Sequence, residues 1–263
     1  MDVPQDRGRL RARHPDLTVS QQLNPSPTMN ERYVLDIETR GNPAAAEKLW
    51  KPSEYKTHGN IKDPVKLQAH RATWEEAQAE AKALFIERAA LSPLTGTVCC
   101  IGLADDAGEI KTLEGDERTV LTEFWRRVSL HENATTKWVY WSGSGSYADN
   151  FDLDFIVTRS RLIGVPVPPS VRSGRFYNPR FVDLAAEFLL YRSGEYLSLT
   201  NAGELFGLYD GKHGVTPKRK DDEVTGANFA VLYDLGGESR QKALAYLAND
   251  LKITYHLANA ILG

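Results

Sequence analysis

The sequence predicts an α/β fold: a mixed sheet flanked by helices, with a helical C-terminal third. Three observations carry this expectation. Short apolar runs mark the strands, the elements follow in the order strand, hairpin, helix, strand, helix, and the last third has helical spacing almost throughout. Residues 1–28 are polar and proline-containing, with arginines at 7, 9, 11 and 13 and no periodicity, which reads as a flexible N-terminal tail; a biological start at Met29 is one hypothesis for it. Residues 29–263 are expected to form a single domain with a helical insertion at about 40–96.

The first strand is Tyr33 to Glu38. The Ala, Glu and Lys content between about Asp63 and Leu91 favours a solvent-facing helix. Strands follow at Val98–Ala104 and Glu109–Leu113, joined by the hairpin turn Asp105-Asp-Ala-Gly108. A helix spans Glu117 to Leu130, with Leu121, Phe124, Trp125 and Val128 on one face. Lys137 to Trp141 is the next strand, and a Gly/Ser loop leads from it into a helix over about Asn150–Ile163. Beyond the proline-rich 165–170 linker, helices are expected at Leu184–Tyr191, Ser198–Phe206, about Ala227–Leu235 and Glu238–Leu262.

Composition removes several classes. With 32 Lys+Arg against 35 Asp+Glu the net charge is −3, so the chain does not hold nucleic acid by bulk positive charge. It contains no run of eighteen apolar residues and no signal-like apolar segment near its start, so no membrane partner is expected and a cytoplasmic location is the simplest reading. Cys99 and Cys100 are adjacent in an apolar strand. Alternation points them to opposite faces, as reduced residues rather than a disulfide or metal site.

The residues suited to chemistry are acids. Period two puts Asp36 and Glu38 on one face of the first strand and Leu35 and Ile37 on the other. Their stems then lie about 6–7 Å apart, within reach of a pair of divalent cations. Two surface acids on an edge strand would give the same pattern. Tyr246 and Asp250 stack one turn apart on the last helix, where a carboxylate can bind metal and a phenol can orient water; a Tyr packed on the core beside an exposed Asp is the plainer alternative. Asp152 opens the helix after the Gly/Ser loop, where capping competes with ligation as its role.

In combination, Val34-Leu-Asp-Ile-Glu-Thr39, Asn150-Phe-Asp-Leu-Asp-Phe-Ile156, Phe181-Val-Asp-Leu184 and Ala245-Tyr-Leu-Ala-Asn-Asp250 resemble the DEDD (DnaQ-like) superfamily of 3′–5′ exonucleases. The likeness is to its tyrosine (DEDDy) subgroup, as in the proofreading domains of family B DNA polymerases and their stand-alone relatives, and it runs from about Arg32 to Leu262. It implies a ribonuclease H-like fold. It also implies Asp36, Glu38, Asp152 and Asp250 as ligands of two divalent cations, Mg²⁺ or Mn²⁺, and Tyr246 as the water-orienting residue. A histidine one place earlier would mark the sister subgroup, but Ala245 stands there. The implied reaction is in-line hydrolysis of the 3′-terminal phosphodiester with release of nucleoside monophosphates, preferentially from single-stranded DNA, with a polymerase or a replication or repair protein as partner.

Relatives usually carry an Asn shortly before the Phe-Asp pair. Here the loop reads Trp141-Ser-Gly-Ser-Gly-Ser-Tyr-Ala-Asp-Asn150, and Asp154 stands where Pro is common. An RNA-trimming enzyme with the same site, or a catalytically weak nucleic-acid-binding or polymerase-accessory module, are the alternatives. The acids repel a phosphate backbone, so positive charge must come from cations and from Lys212, Lys218, Arg219 and Lys220 in the basic loop, or from Arg159. Trp141 and Tyr147 flank the Gly/Ser loop as candidate stacking residues, although Trp141 ends a strand and core packing is its plainer role, and Asn150 and Phe151 are candidate contacts to the terminal nucleotide. The same loop matches a dinucleotide-binding spacing by coincidence, since Val165-Pro-Val-Pro-Pro169 stands where the acid-ended strand should be.

Overall fold

The computed structural model describes residues 31–57, 59, 61–131, 135–145, 151–171, 180–192, 194–219 and 221–263. The tail 1–28, Met29, Tyr147, Asn150 and Lys220 lie outside the described residues.

Five strands form one mixed sheet. β1 (Arg32–Gly41), β2 (Gly96–Ala104), β3 (Ile110–Leu113), β4 (Lys137–Tyr140) and β5 (Phe181–Asp183) are ordered β3-β2-β1-β4-β5. β2 runs antiparallel to β1 and β3, while β4 and β5 run parallel to β1 and to each other in turn. β1 is therefore the central strand, which removes the edge-strand reading of Asp36 and Glu38. This is the expected α/β class, a ribonuclease H-like mixed sheet with helices on both faces.

Between β1 and β2 lie a short α1 (Pro43–Leu49), α2 (Pro64–Glu87) and a 3₁₀ turn at Arg88–Leu91. Asn42 and Asp63 cap the two helices and a proline opens each, a start that the missing proline N–H suits. No residue of α2 is buried, as its composition foretold. The helices α3 (Glu117–Leu130) and α4 (Phe151–Leu162) cover one face of the sheet. There Leu121, Phe124, Trp125 and Val128 pack with Leu35, Ile37, Trp138 and Phe181. The opposite face carries α5 (Leu184–Phe188), α6 (Leu199–Leu205), α7 (Phe229–Leu235) and the long α8 (Gly237–Leu262).

Two local departures from the sequence pattern matter. Glu38 pairs with Cys100 but Thr39 pairs with Val98, so Cys99 is an extra residue in a β-bulge. The bulge breaks the alternation: both cysteines, free and buried, join the core under α8 instead of facing opposite ways. The helix expected to reach Tyr191 stops at Phe188, because Leu190 and Tyr191 both take left-handed backbone (φ 54° and 58°).

Candidate metal centre

Alternation along β1 sends Leu35 and Ile37 into the core under α3 and α4, and turns Asp36 and Glu38 towards α8. α8 can come close because β2 carries a glycine opposite Asp36. A Cβ on Gly102 would lie 2.5 Å from Leu251 Cδ1 and 3.1 Å from Leu247 Cδ1. Those leucines directly follow Asp250 and Tyr246, so seating them on Gly102 brings the carboxylate and the phenol down onto the acids of β1. Each fully buried leucine contributes about 1.5–3 kcal/mol, which offsets part of the repulsion it brings together. Carboxylate oxygens of Asp36, Glu38 and Asp250 lie within 4.8 Å of one another, a group able to hold a metal ion.

Electrostatics report the crowding. Burial and then the charge of Asp250 push Asp36 up to about 7. Burial, Asp36 and Asp250 hold Glu38 well above the usual carboxylate range. Burial also raises Asp250, although Lys218 opposes it. The Lys218 ammonium donates to Asp250 Oδ2 and, at 2.6 Å, to the Tyr246 hydroxyl, and lies 3.9 Å from the centre of the Tyr246 ring. Burial works against the charge on Lys218, but Asp250 and Tyr246 more than reverse that and raise it. Tyr246 itself is pushed up to about 12, by burial first and Asp250 second.

One oxygen tests whether these residues fit a cation. Asp250 Oδ1 is buried and has no hydrogen-bond partner among the described residues. A buried carboxylate oxygen left unpaired is costly, and a hard divalent cation shared with Asp36 and Glu38 satisfies it with oxygen ligands of the right type.

Asp152 stands outside this trio. It is buried in the first turn of α4, and its carboxyl is raised by burial, by Asp36 and by Asp183. Asp183, not singled out in the sequence, ends β5 next to Tyr140 and is fully buried. It accepts from Ser142 Oγ at 2.5 Å, from Ser142 N at 3.2 Å and from Ala185 N at 3.0 Å, which ties the end of β4 to the start of α5. A three-residue strand has no readable periodicity, so neither β5 nor Asp183 carried a sequence signal beyond the family-like Phe181–Leu184 stretch.

The candidate substrate contacts divide. Trp141 is turned inward, its indole N–H donating to the Leu197 carbonyl at 2.9 Å. Phe151 packs on Phe155, ring centres 5.3 Å apart, at the edge of the core. Lys212 is exposed and pairs with Asp210 at 2.9 Å, and Arg219 is exposed. Arg159 is engaged within the protein. Its guanidinium makes a two-pronged bond to Glu117 (2.8 and 2.7 Å) and another to the Pro93 carbonyl (3.1 Å), so it clamps α4 to α3 and to the turn before β2. Arg159→Ala is accordingly expected to cost about 1.5–3 kcal/mol of stability. A melting curve should show this, while oligonucleotide affinity stays at the wild-type value.

No protein-family model and no curated protein matches the chain. Among solved structures it is similar to the family B DNA polymerase from the hyperthermophilic archaeon Pyrobaculum calidifontis, with TM-score 0.53 and 17% sequence identity over 88% of this chain. The match covers 24% of that polymerase, so the chain spans about a quarter of its length. At this identity the likeness speaks for the fold. No helix among the described residues is long and apolar enough to cross a membrane.

Proposed function

We propose that the protein is a metal-dependent 3′–5′ exonuclease of the DEDDy type, acting preferentially on single-stranded DNA ends. The observation that supports it most is the meeting of Asp36, Glu38 and Asp250 around an unpaired buried carboxylate oxygen, with Tyr246 one helical turn from Asp250. In this reading Asp36, Glu38, Asp250 and Asp152 hold two divalent cations, Mg²⁺ or Mn²⁺. When bound there, such cations supply Lewis-acid chemistry, lowering the pKa of water and neutralising phosphate charge.

The chain's own groups do the rest. Tyr246 Oη already accepts a bond from Lys218, so its proton is free to be donated onward. Held near 12, the phenol stays protonated at neutral pH and therefore orients water or a phosphate oxygen rather than serving as the base. Lys218 holds Tyr246 and Asp250 in mutual register. The acids leave no positive wall of their own, so the exposed Lys212 and Arg219 are the candidate phosphate contacts from the basic loop.

The test is a time course on 5′-labelled single-stranded DNA with Mg²⁺, Mn²⁺ or EDTA, the Asp36→Ala protein as control, and a matched RNA alongside. A metal-dependent ladder shortening from the 3′ end, absent in the variant, is the expected result. Equal cleavage by Asp36→Ala would overturn the site, faster loss of the RNA would transfer the reading to an exoribonuclease, and tight binding without cleavage would transfer it to an accessory module.

A further inference from the structure

Trp141, where core packing was weighed against stacking, is turned inward, and the bond of its indole to the Leu197 carbonyl makes it an anchor for another aromatic residue. Leu197 N also donates to Gly143 O at 2.7 Å, Gly145 N to Glu195 O at 3.0 Å, and Ser144 forms an antiparallel bridge with Tyr196. Residues 194–197 are thus strapped along the Gly/Ser loop. The loop's glycines make this possible. A Cβ on Gly143 would stand 2.7 Å from the Tyr196 ring, and one on Gly145 would stand 2.4 Å from the Arg192 carbonyl oxygen.

Tyr196 therefore rests against bare backbone and is nevertheless 71% exposed. An aromatic ring held by bonds on both sides of its own residue, yet left open to water, has an unused surface. The chain reaches this position through Leu190 and Tyr191, consecutive non-glycine residues in left-handed backbone. Such conformations cost on the order of 1–3 kcal/mol each and persist where the surroundings fix them, often beside ligands. The place adjoins Asp183 and the strand beside the acids: Ser142, two residues before the Tyr196 partner Ser144, is bonded to Asp183 and lies just past the end of β4, which pairs in parallel with β1, the strand of Asp36 and Glu38. Parallel β4 and β5 end here while β1 runs on to Gly41, and ligands enter an α/β sheet at the carboxyl ends of its parallel strands.

We propose that Tyr196 is a stacking platform for an unpaired base of the strand whose 3′ end reaches the acid cluster, an inference that rests on the exonuclease reading above. A ring with an open surface takes any base, because every base has a π-face, and each such stack contributes about 1–3 kcal/mol. Exposed Arg192 and Glu195 lie on the same turn with opposite charges, so the turn has no net pull on phosphate and the contact falls to the base. Bases within a duplex are already stacked on each other and offer no free face.

The experiment uses the full chain carrying Asp36→Ala, so that the strand survives, and a single-stranded oligonucleotide with 2-aminopurine near its 3′ end. Added Tyr196→Ala should weaken binding about 5–150-fold, the equivalent of 1–3 kcal/mol, and change the quenching of the probe. Tyr196→Phe and Tyr196→Trp should stay within about twofold of the parent, and all three should melt with it. In protein retaining Asp36, Tyr196→Ala should raise KM while kcat holds. Unchanged affinity in Tyr196→Ala, or a loss in Tyr196→Phe as large as in Tyr196→Ala, would overturn the platform while leaving the nuclease reading intact. Absence of any strand binding by the parent, together with absence of cleavage by wild type, would overturn both.

Discussion

Asp36→Asn is expected to abolish metal-dependent cleavage and at the same time to stabilise the metal-free protein at alkaline pH. The first effect should exceed about 10³-fold, since even an outer partner of a metal ligand is worth about 10–100-fold. The second follows from the charge state. Folding raises Asp36 from its ordinary 3.8 to about 7, through burial and then Asp250, so the folded protein binds more protons than the unfolded chain between those values. Stability from this group is complete below about pH 4 and is lost as pH rises through about 7. In EDTA the wild type should therefore melt lower at pH 8 than at pH 5, by on the order of a few kcal/mol in stability. The Asn variant should flatten that slope and melt above wild type at pH 8. Excess Mg²⁺ should stabilise the wild type far more than the variant. A variant that melts below wild type at pH 8 would mean that the acids are not repelling one another.

Lys218→Met should behave in the opposite sense. It leaves buried Asp250 without the ammonium that bonds its Oδ2, and removes the same group from Tyr246. Breaking a buried ion pair costs about 3–5 kcal/mol; with Lys218 28% exposed and Asp250 6% exposed, about 2–4 kcal/mol is expected at pH 8. The penalty should shrink towards pH 5, where the crowded carboxyls take up protons, and Mg²⁺ should recover much of it by supplying charge at the same cluster. Combining Asp36→Asn with Lys218→Met should return stability towards wild type at pH 8, because one removes an excess negative charge and the other a positive one. Equal melting losses for Lys218→Met at both pH values would assign Lys218 to packing alone.

Much of the fold was legible because local and tertiary demands agree. Leu35 and Ile37 alternate with Asp36 and Glu38 because β1 is sandwiched between two helical layers, and α3 shows its buried face because one stripe of it meets the sheet. The three acids of the cluster and Tyr246 were visible as patterns of two and four. What escaped was long-range or shorter than a period. Arg159 finds Glu117 across 42 positions, which no local pattern records, so its role as a clamp was not legible. The basic loop was visible as a run of charge, but not that Lys218, alone among its described basic residues, turns inward onto Asp250. β5 has three residues, and the Gly/Ser loop's glycines serve a neighbouring segment rather than a ligand's phosphate.

The bulge at Cys99 also bears on how this chain can change over time. Pairs on its two sides, Glu38 with Cys100 and Thr39 with Val98, are already consecutive on β1. Loss of the extra residue would therefore leave every strand pairing in place, in an interior strand, β2, where a deletion ordinarily turns the side chains beyond it to the wrong face. The extra residue bears on aim rather than pairing: its added twist falls beside Glu38, where a few degrees decide whether a carboxylate meets its neighbours. Length variation at this point is a route by which the geometry of the acid cluster can drift while the sheet stays whole.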